Sequence, residues 1–140
     1  MANDPKIDLI ASVPLFGACG GPDLQRIAQL LDEVDLPADR VFVRQGDPGR
    51  EMFSIASGRV VIERDGKVIS ERGPGAVIGE MALLSEGPRT ATVRTLEPTR
   101  VFVAAHREFH SLMEAHPTIR MRVLEGLADK IRGLDEASVH

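Results

Sequence analysis

Between Arg40 and Val103 the chain is broken so often by turn signals that no long helix fits inside it. Gly46-Asp47-Pro48-Gly49, Ser57-Gly58, Asp65-Gly66, Gly73-Pro74-Gly75 and Pro98 each interrupt a short apolar run. Glycine supplies positive φ at such places, and proline fixes φ and lacks a donor. The runs between them are rich in β-branched residues: Val41 and Val43, Phe53 and Ile55, Val60 to Ile62, Val68 and Ile69, Val77 and Ile78, Thr90 to Thr95, then Arg100 to Val103. Asp65-Gly66 is a two-residue hairpin signal, because a primed turn needs positive φ at its centre. Short strands at this spacing predict a mainly β fold, a sandwich or a barrel.

Helical patterns flank that stretch. Ile7, Ile10 and Ala11 make a brief apolar face ended by Pro14. Asp23 reads as the N-cap of a helix carrying Leu24, Ile27, Leu30 and Leu31, stopped by Pro37. At the other end His106 to Ala115 precedes Pro117, and a longer helix is expected from Thr118 to about Leu134. Ile119, Val123, Leu124, Leu127, Ile131 and Leu134 form its apolar stripe, which reads as core or as a seam with a twin helix. Gly126 within it should weaken the helix by about 1 kcal/mol relative to alanine. The expected organisation is one domain over 1–140, with helices in 1–36, a β region in 37–105 and helices in 106–134.

Composition narrows the class. Of 140 residues 43% are hydrophobic and 27% charged, which suits a single globular core. The formal net charge of −4 gives no reason to expect a polyanion such as DNA as partner. One cysteine, Cys19, excludes an internal disulfide framework and a multi-cysteine zinc site, and reads as an ordinary semi-buried thiol. The opening MANDPKIDLI does not read as a secretory leader, and no run approaches the ~20 apolar residues of a membrane span. A cytoplasmic location is the expectation.

The chemistry is concentrated between Ile78 and Val93. Gly79 at the end of a strand permits positive φ or close approach of another group. Glu80 to Leu84 is a short run of helix formers whose first amides lack intrahelical acceptors and so can face an anion. Gly87-Pro88 reverses the chain and brings Arg89, a planar fork of donors, back to the same place. One arginine suits about one negative charge. Glu80 would repel a phosphate unless it accepted a hydrogen bond from a hydroxyl elsewhere on the ligand. Phosphate and hydroxyl a sugar's width apart describe a ribose phosphate.

This segment resembles the phosphate-binding cassette of cyclic nucleotide-binding domains, the module of catabolite-activator-type regulators, cyclic-nucleotide-dependent kinases and gated channels. The resemblance rests on Gly79-Glu80, Ala82, Leu83-Leu84 and Pro88-Arg89-Thr90-Ala91, with Arg89 nine positions after Glu80. Gln45-Gly46-Asp47-Pro48-Gly49 and Ser57-Gly58-Arg59-Val60 also match the family's turns. It implies an eight-stranded jelly-roll with the cassette at 79–91, flanking N-terminal helices and a C-terminal lid. It further implies that Glu80 takes the ribose 2′-hydroxyl and Arg89 a phosphate oxygen. Backbone amides of Gly79, Met81 and Ala82 would approach the ligand, with Thr90 and Ala91 completing the cassette. Ile62 and Ile69 would wall the base. Lys130 and Leu134 are the candidate lid residues, where this chain, like its Asp135, departs from the catabolite activator. The implied ligand is cAMP, with cGMP as the other choice, and no further cofactor or metal is implied.

Each residue also has a plainer reading. Alone, Arg89 would be a surface arginine pairing Glu86, and Glu80 a solvated acid at a helix start. His106 and His110 stand four apart on a predicted helix, but with no evident third ligand they read as half-exposed helix histidines. A cupin-like metal enzyme would need histidines on the strands, whereas His106, His110, His116 and His140 all follow them. A degenerate relative that binds another small anion, or only a protein, is the remaining alternative. The expected function is a non-catalytic, stand-alone sensor that signals through its C-terminal helices to a downstream protein. A homodimer through the last helix is the further expectation, with no contact to DNA or membrane by this chain alone.

Overall fold

The computed structural model describes residues 4–138, and side chains as far as Leu134. Helix α1 (Pro5–Ala11) is capped by Asp4, whose carboxylate accepts from the Lys6 amide at 2.9 Å. A 3-10 turn (Pro14–Phe16) and α2 (Gly21–Ala28) follow. Gly20, not Asp23, caps α2: Pro22 fills its first turn, where a missing N–H is harmless, and Asp23 lends its charge there. The helix also ends before Leu30, and β1 (Asp32–Leu36) occupies residues expected to be helical. As an edge strand, DEVDL is mostly exposed and shows no apolar alternation to betray it. What holds it is pairing with the last strand, where Arg100 donates to Asp35 at 2.8 Å.

The remaining strands are β2 (Val41–Val43), β3 (Pro48–Gly49), β4 (Glu51–Ser57), β5 (Val60–Arg64), β6 (Lys67–Arg72), β7 (Val77–Ile78), β8 (Gly87–Pro88), β9 (Thr92–Thr95) and β10 (Thr99–Ala105). They make two four-stranded sheets, β1-β10-β4-β7 and β2-β9-β5-β6, plus the short β3–β8 ladder. The expected mainly β roll of eight principal strands with flanking helices is what the chain forms. Asp65 (φ 53°) and Gly66 (φ 79°) make the β5–β6 hairpin turn in the backbone region a primed turn requires.

The core has two parts, divided by the β1-β10-β4-β7 sheet. Phe53, Ile55, Val60, Ile78, Val93 and Val101 fill the space between the sheets. Met52, Phe102 and Ala104 face the other way, onto a cluster with Ile10, Phe16, Ile27 and Phe109. Strands β4 and β10 are therefore buried on both faces, as their near-continuous apolar runs require.

Helix α3 (His106–Ala115) and α4 (Pro117–Ser138) close the helical side. Ile119 and Val123 of α4 are buried in that cluster. One turn further on, α4 crosses the Pro14–Phe16 turn so closely that a Cβ at Gly126 would strike the Leu15 carbonyl. Gly126 is thus a packing requirement, which propensity alone does not reveal. Gly126→Ala should lower stability by about 1–3 kcal/mol in urea denaturation, opposite in sign to the gain of about 1 kcal/mol expected from helix propensity. A variant as stable as the parent would contradict this docking.

Candidate functional site

Strand β7 ends at Ile78, and Gly79 turns the chain with φ 75° and ψ 31° into a one-turn 3-10 helix (Glu80–Leu83). That conformation favours glycine, and space demands it too, since a Cβ at Gly79 would meet the Arg89 Nη1. A Cβ at Gly49 would lie 3.0 Å from the Arg89 Nε. The guanidinium therefore runs between two glycines. Its backbone is fixed on both sides, because the Arg89 amide donates to the Asp47 carbonyl and the Gly46 amide to the Arg89 carbonyl, each at 2.8 Å. Nη2 donates to the Glu51 carbonyl at 2.8 Å, and the cation lies 5.8 Å from the centroid of the Phe53 ring. Partial burial pulls the Arg89 pKa below the ordinary arginine range and the Glu51 charge opposes it, but the group remains a cation.

A cavity of about 440 Å³ opens beside this arginine. The cassette lines it with Gly79, Met81, Ala82, Arg89, Thr90 and Ala91, and the β5–β6 hairpin adds Ile62 and Ile69. The structure thus brings these expected residues together. It also adds two that were not expected, Arg64 and Arg72. They stand two residues beyond Ile62 and Ser70, so the pleat puts them on the same face. The hairpin signal at Asp65-Gly66 places them on paired strands but does not by itself show that a cavity lies against that face. The site's charge is therefore not that of a single arginine, and among the described residues no carboxylate lines the cavity. Arg64 Nε donates to the Thr90 carbonyl at 3.0 Å. The Ala82 amide donates to the Gly79 carbonyl at 3.0 Å, so it does not face a ligand freely as expected. A one-turn helix leaves only its first amides without intrahelical acceptors.

Glu80 is not in the cavity wall. Its carboxylate turns toward α4, where Oε1 accepts from Lys130 Nζ, while Oε2 is buried with no hydrogen-bond partner among the described residues. An orphaned carboxylate oxygen is costly, and a hydroxyl donor would satisfy it. Lys130, expected over the cavity, instead grips the cassette from behind. Leu134 is 65% exposed and does not cover the cavity. It lies one heptad beyond Leu127, past the point where α4 leaves the core. The side chain of Asp135 lies outside the described residues.

Glu86 pairs with Arg50 at 3.6 Å, not with Arg89. His106 does more than half-face solvent: its Nδ1 donates to the Ala82 carbonyl at 2.7 Å and ties α3 to the cassette. No pattern in the sequence announces that contact, because its partner is a backbone carbonyl. His110 stacks on His106 with ring centroids 4.1 Å apart. His106 and His110 lie on α3 and His116 caps it, and His140 lies outside the described residues. Among the described residues no three His, Cys, Asp or Glu side chains are placed to hold a metal ion. No helix among them is long and apolar enough to cross a membrane.

The profile of the cyclic nucleotide-binding domain matches residues 33–116. The chain belongs to that family. It is 38% identical over 111 residues to a cyclic nucleotide-gated potassium channel of Mesorhizobium japonicum, covering 79% of this chain and 31% of the channel. It therefore spans about a third of the length of the curated relatives it matches. The N-terminal domain of a transcriptional regulator from Streptomyces coelicolor A3(2) superposes with a TM-score of 0.85 at 26% identity, covering 94% of this chain and 95% of that one. The regulatory domain of Toxoplasma gondii PKA, solved with cAMP, gives a TM-score of 0.71 at 25% identity over 79% of this chain and 46% of that one.

One thiol reports on the helical side of this cyclic nucleotide-binding domain. Burial pushes the Cys19 pKa up to about 11, with Asp23 adding to the effect. Alkylation by iodoacetamide should rise about tenfold per pH unit through pH 10 in the folded chain, and level off near pH 9 once urea unfolds it. A plateau near pH 9 in the folded chain would contradict the placement of Cys19.

Proposed function

We propose that this chain is a non-catalytic sensor that binds a cyclic nucleotide, cAMP or cGMP, and passes occupancy of the site to α4. The observation that carries this reading is the pair of groups on either side of Gly79. The Arg89 cation lines the cavity, and Glu80 keeps one buried carboxylate oxygen without a partner. Arg89 takes an oxygen of the phosphodiester, a single charge that its fork can meet with charge-assisted bonds. The amides of Gly79 and Met81 add to it, and Thr90 and Ala91 line the same end. Glu80 accepts the ribose 2′-hydroxyl at Oε2. Ile62 and Ile69, on the hairpin, wall the base.

Transmission follows from Lys130. Its ion pair with Glu80 joins α4 to a residue next to the phosphate seat, so a ligand that draws Glu80 toward the ribose pulls on the helix. Met121, Leu124 and Ile131 of α4 are each more than half exposed, which supports pairing with the same helix of a second copy. A downstream protein reads the change. The net charge of −4 supports a role without DNA or membrane contact by this segment.

A second reading, a site for some other small anion, has in its favour that no carboxylate among the described residues lines the cavity. Calorimetric titration separates the two. Arg89→Ala should weaken cyclic nucleotide binding by about 1.5–3 kcal/mol. Glu80→Gln should weaken binding of the ribose nucleotide and leave that of its 2′-deoxy analogue nearly unchanged. Unaltered affinity in Arg89→Ala would mean the site lies elsewhere. Unaltered affinity in Glu80→Gln would favour the second reading.

A further inference from the structure

The ladder between β5 and β9 ends at Glu63 and Thr92, so the tip of the β5–β6 hairpin stands beyond it. Among the described residues, two hydrogen-bonded ties join that tip to the rest of the molecule. Arg64 Nε donates to the Thr90 carbonyl at 3.0 Å, and Gln45 makes a reciprocal pair with Asp65 at the turn itself. Gln45 Nε2 donates to Asp65 Oδ1 at 2.8 Å, and its Oε1 accepts from the Asp65 amide at 2.9 Å. These partners fix the orientation of the Gln45 amide, since a carboxylate accepts and a backbone N–H donates.

Both ties land beside one residue. Thr90 follows Arg89 directly, and Gln45 precedes Gly46, whose amide donates to the Arg89 carbonyl at 2.8 Å. The Gln45 amide donates to Thr92 Oγ1 at 3.0 Å, and the Asp47 carbonyl accepts from the Arg89 amide at 2.8 Å. The turn at Gln45-Gly46-Asp47 thus grips Arg89 with its backbone and the hairpin with the Gln45 side chain.

From this bridge we infer that Gln45 is a positioning residue, which braces the hairpin tip against the turn that holds Arg89 and so fixes the spacing of two cavity walls. This role rests on the cyclic nucleotide reading above and deepens it. A ligand that meets Arg89 and the hairpin together binds best when their spacing is set beforehand, because ordering a loose segment opposes binding. Gln45 does not line the cavity, so its effect is the same for either base. Gln45 and Asp65 are both exposed, and changing exposed side chains alters global stability little. The tie therefore bears on the site more than on folding.

The test is calorimetric titration of the full chain with cAMP and with cGMP, with release followed by stopped flow, on the parent and three variants. Gln45→Ala removes both bonds and should weaken the two nucleotides by the same factor, about three- to tenfold, mainly through faster release. Its urea midpoint should stay close to that of the parent. Gln45→Glu sets a second carboxylate against Asp65 and should weaken binding at least as much. Gln45→Glu combined with Asp65→Asn moves the donor to the other side of the pair and should return affinity to within about twofold of the parent. Asparagine tolerates the left-handed φ of 53° at that position, so the turn is kept. Unchanged affinity in Gln45→Ala, a loss confined to one nucleotide, or a loss that the paired exchange fails to recover would overturn the inference while leaving cyclic nucleotide binding intact. A loss that only follows a lowered urea midpoint would do the same. Binding of neither nucleotide by the parent would overturn the functional reading itself, and the role of Gln45 with it.

Discussion

A guanidinium half withdrawn from water, threaded between two glycines, is the constraint on which the rest of the site depends. Taking a cation out of water is costly unless acceptors and polarisable surface replace the lost hydration. Here the Glu51 carbonyl and the Phe53 ring replace part of it, and the remaining face of Arg89 opens on the cavity. Neither Gly49 nor Gly79 can carry a side chain without displacing that group. The β3–β8 ladder, only two residues long on each strand, gains its meaning from this: it sets Gly49 opposite Gly87 and delivers Arg89 to the Gly46-Asp47 turn.

The same glycine divides two directions of influence. Gly79 lines the cavity and its left-handed turn begins the 3-10 helix, so that Glu80 leaves the wall and reaches α4. Beyond the core packing of Ile119 and Val123, helix α4 is joined to Glu80 through Lys130 and lies against the Leu15 carbonyl at Gly126. His106 provides a parallel strap from α3 to the Ala82 carbonyl. A shift of the cassette by a fraction of an ångström thus has two side-chain contacts by which to reach the C-terminal helices. Packed elements transmit such shifts because they do not deform continuously.

How far this was legible in the sequence depended on whether the information was local. Turns announce themselves through Asp65-Gly66, Gly79 and Gly87-Pro88, because backbone conformation and residue type are linked within a few positions. The cassette was readable for the same reason, and its residues do gather at one cavity. β1 was not, since an exposed acidic edge strand has no apolar rhythm and is held by a partner more than sixty positions away. Arg64 and Arg72 required the strand register to be combined with the position of the cavity, and Glu80's turn toward Lys130 required the helix to be docked first. Resemblance to the family puts Leu134 over the pocket, whereas the geometry of α4 carries it past the core.

In the function proposed here, Arg89, Gly79 and Glu80 act as one receptor for a cyclised ribose phosphate. Nitrogen–proton correlation spectra recorded during titration with a cyclic nucleotide test this most directly. They resolve the Arg89 Nε–H as well as the amides of Gly79, Glu80 and Met81. These signals should move first and farthest, saturating together with those of Lys130 and its neighbours on α4. Signals that move only elsewhere, or an Arg89 Nε–H unmoved at saturating ligand, would contradict it.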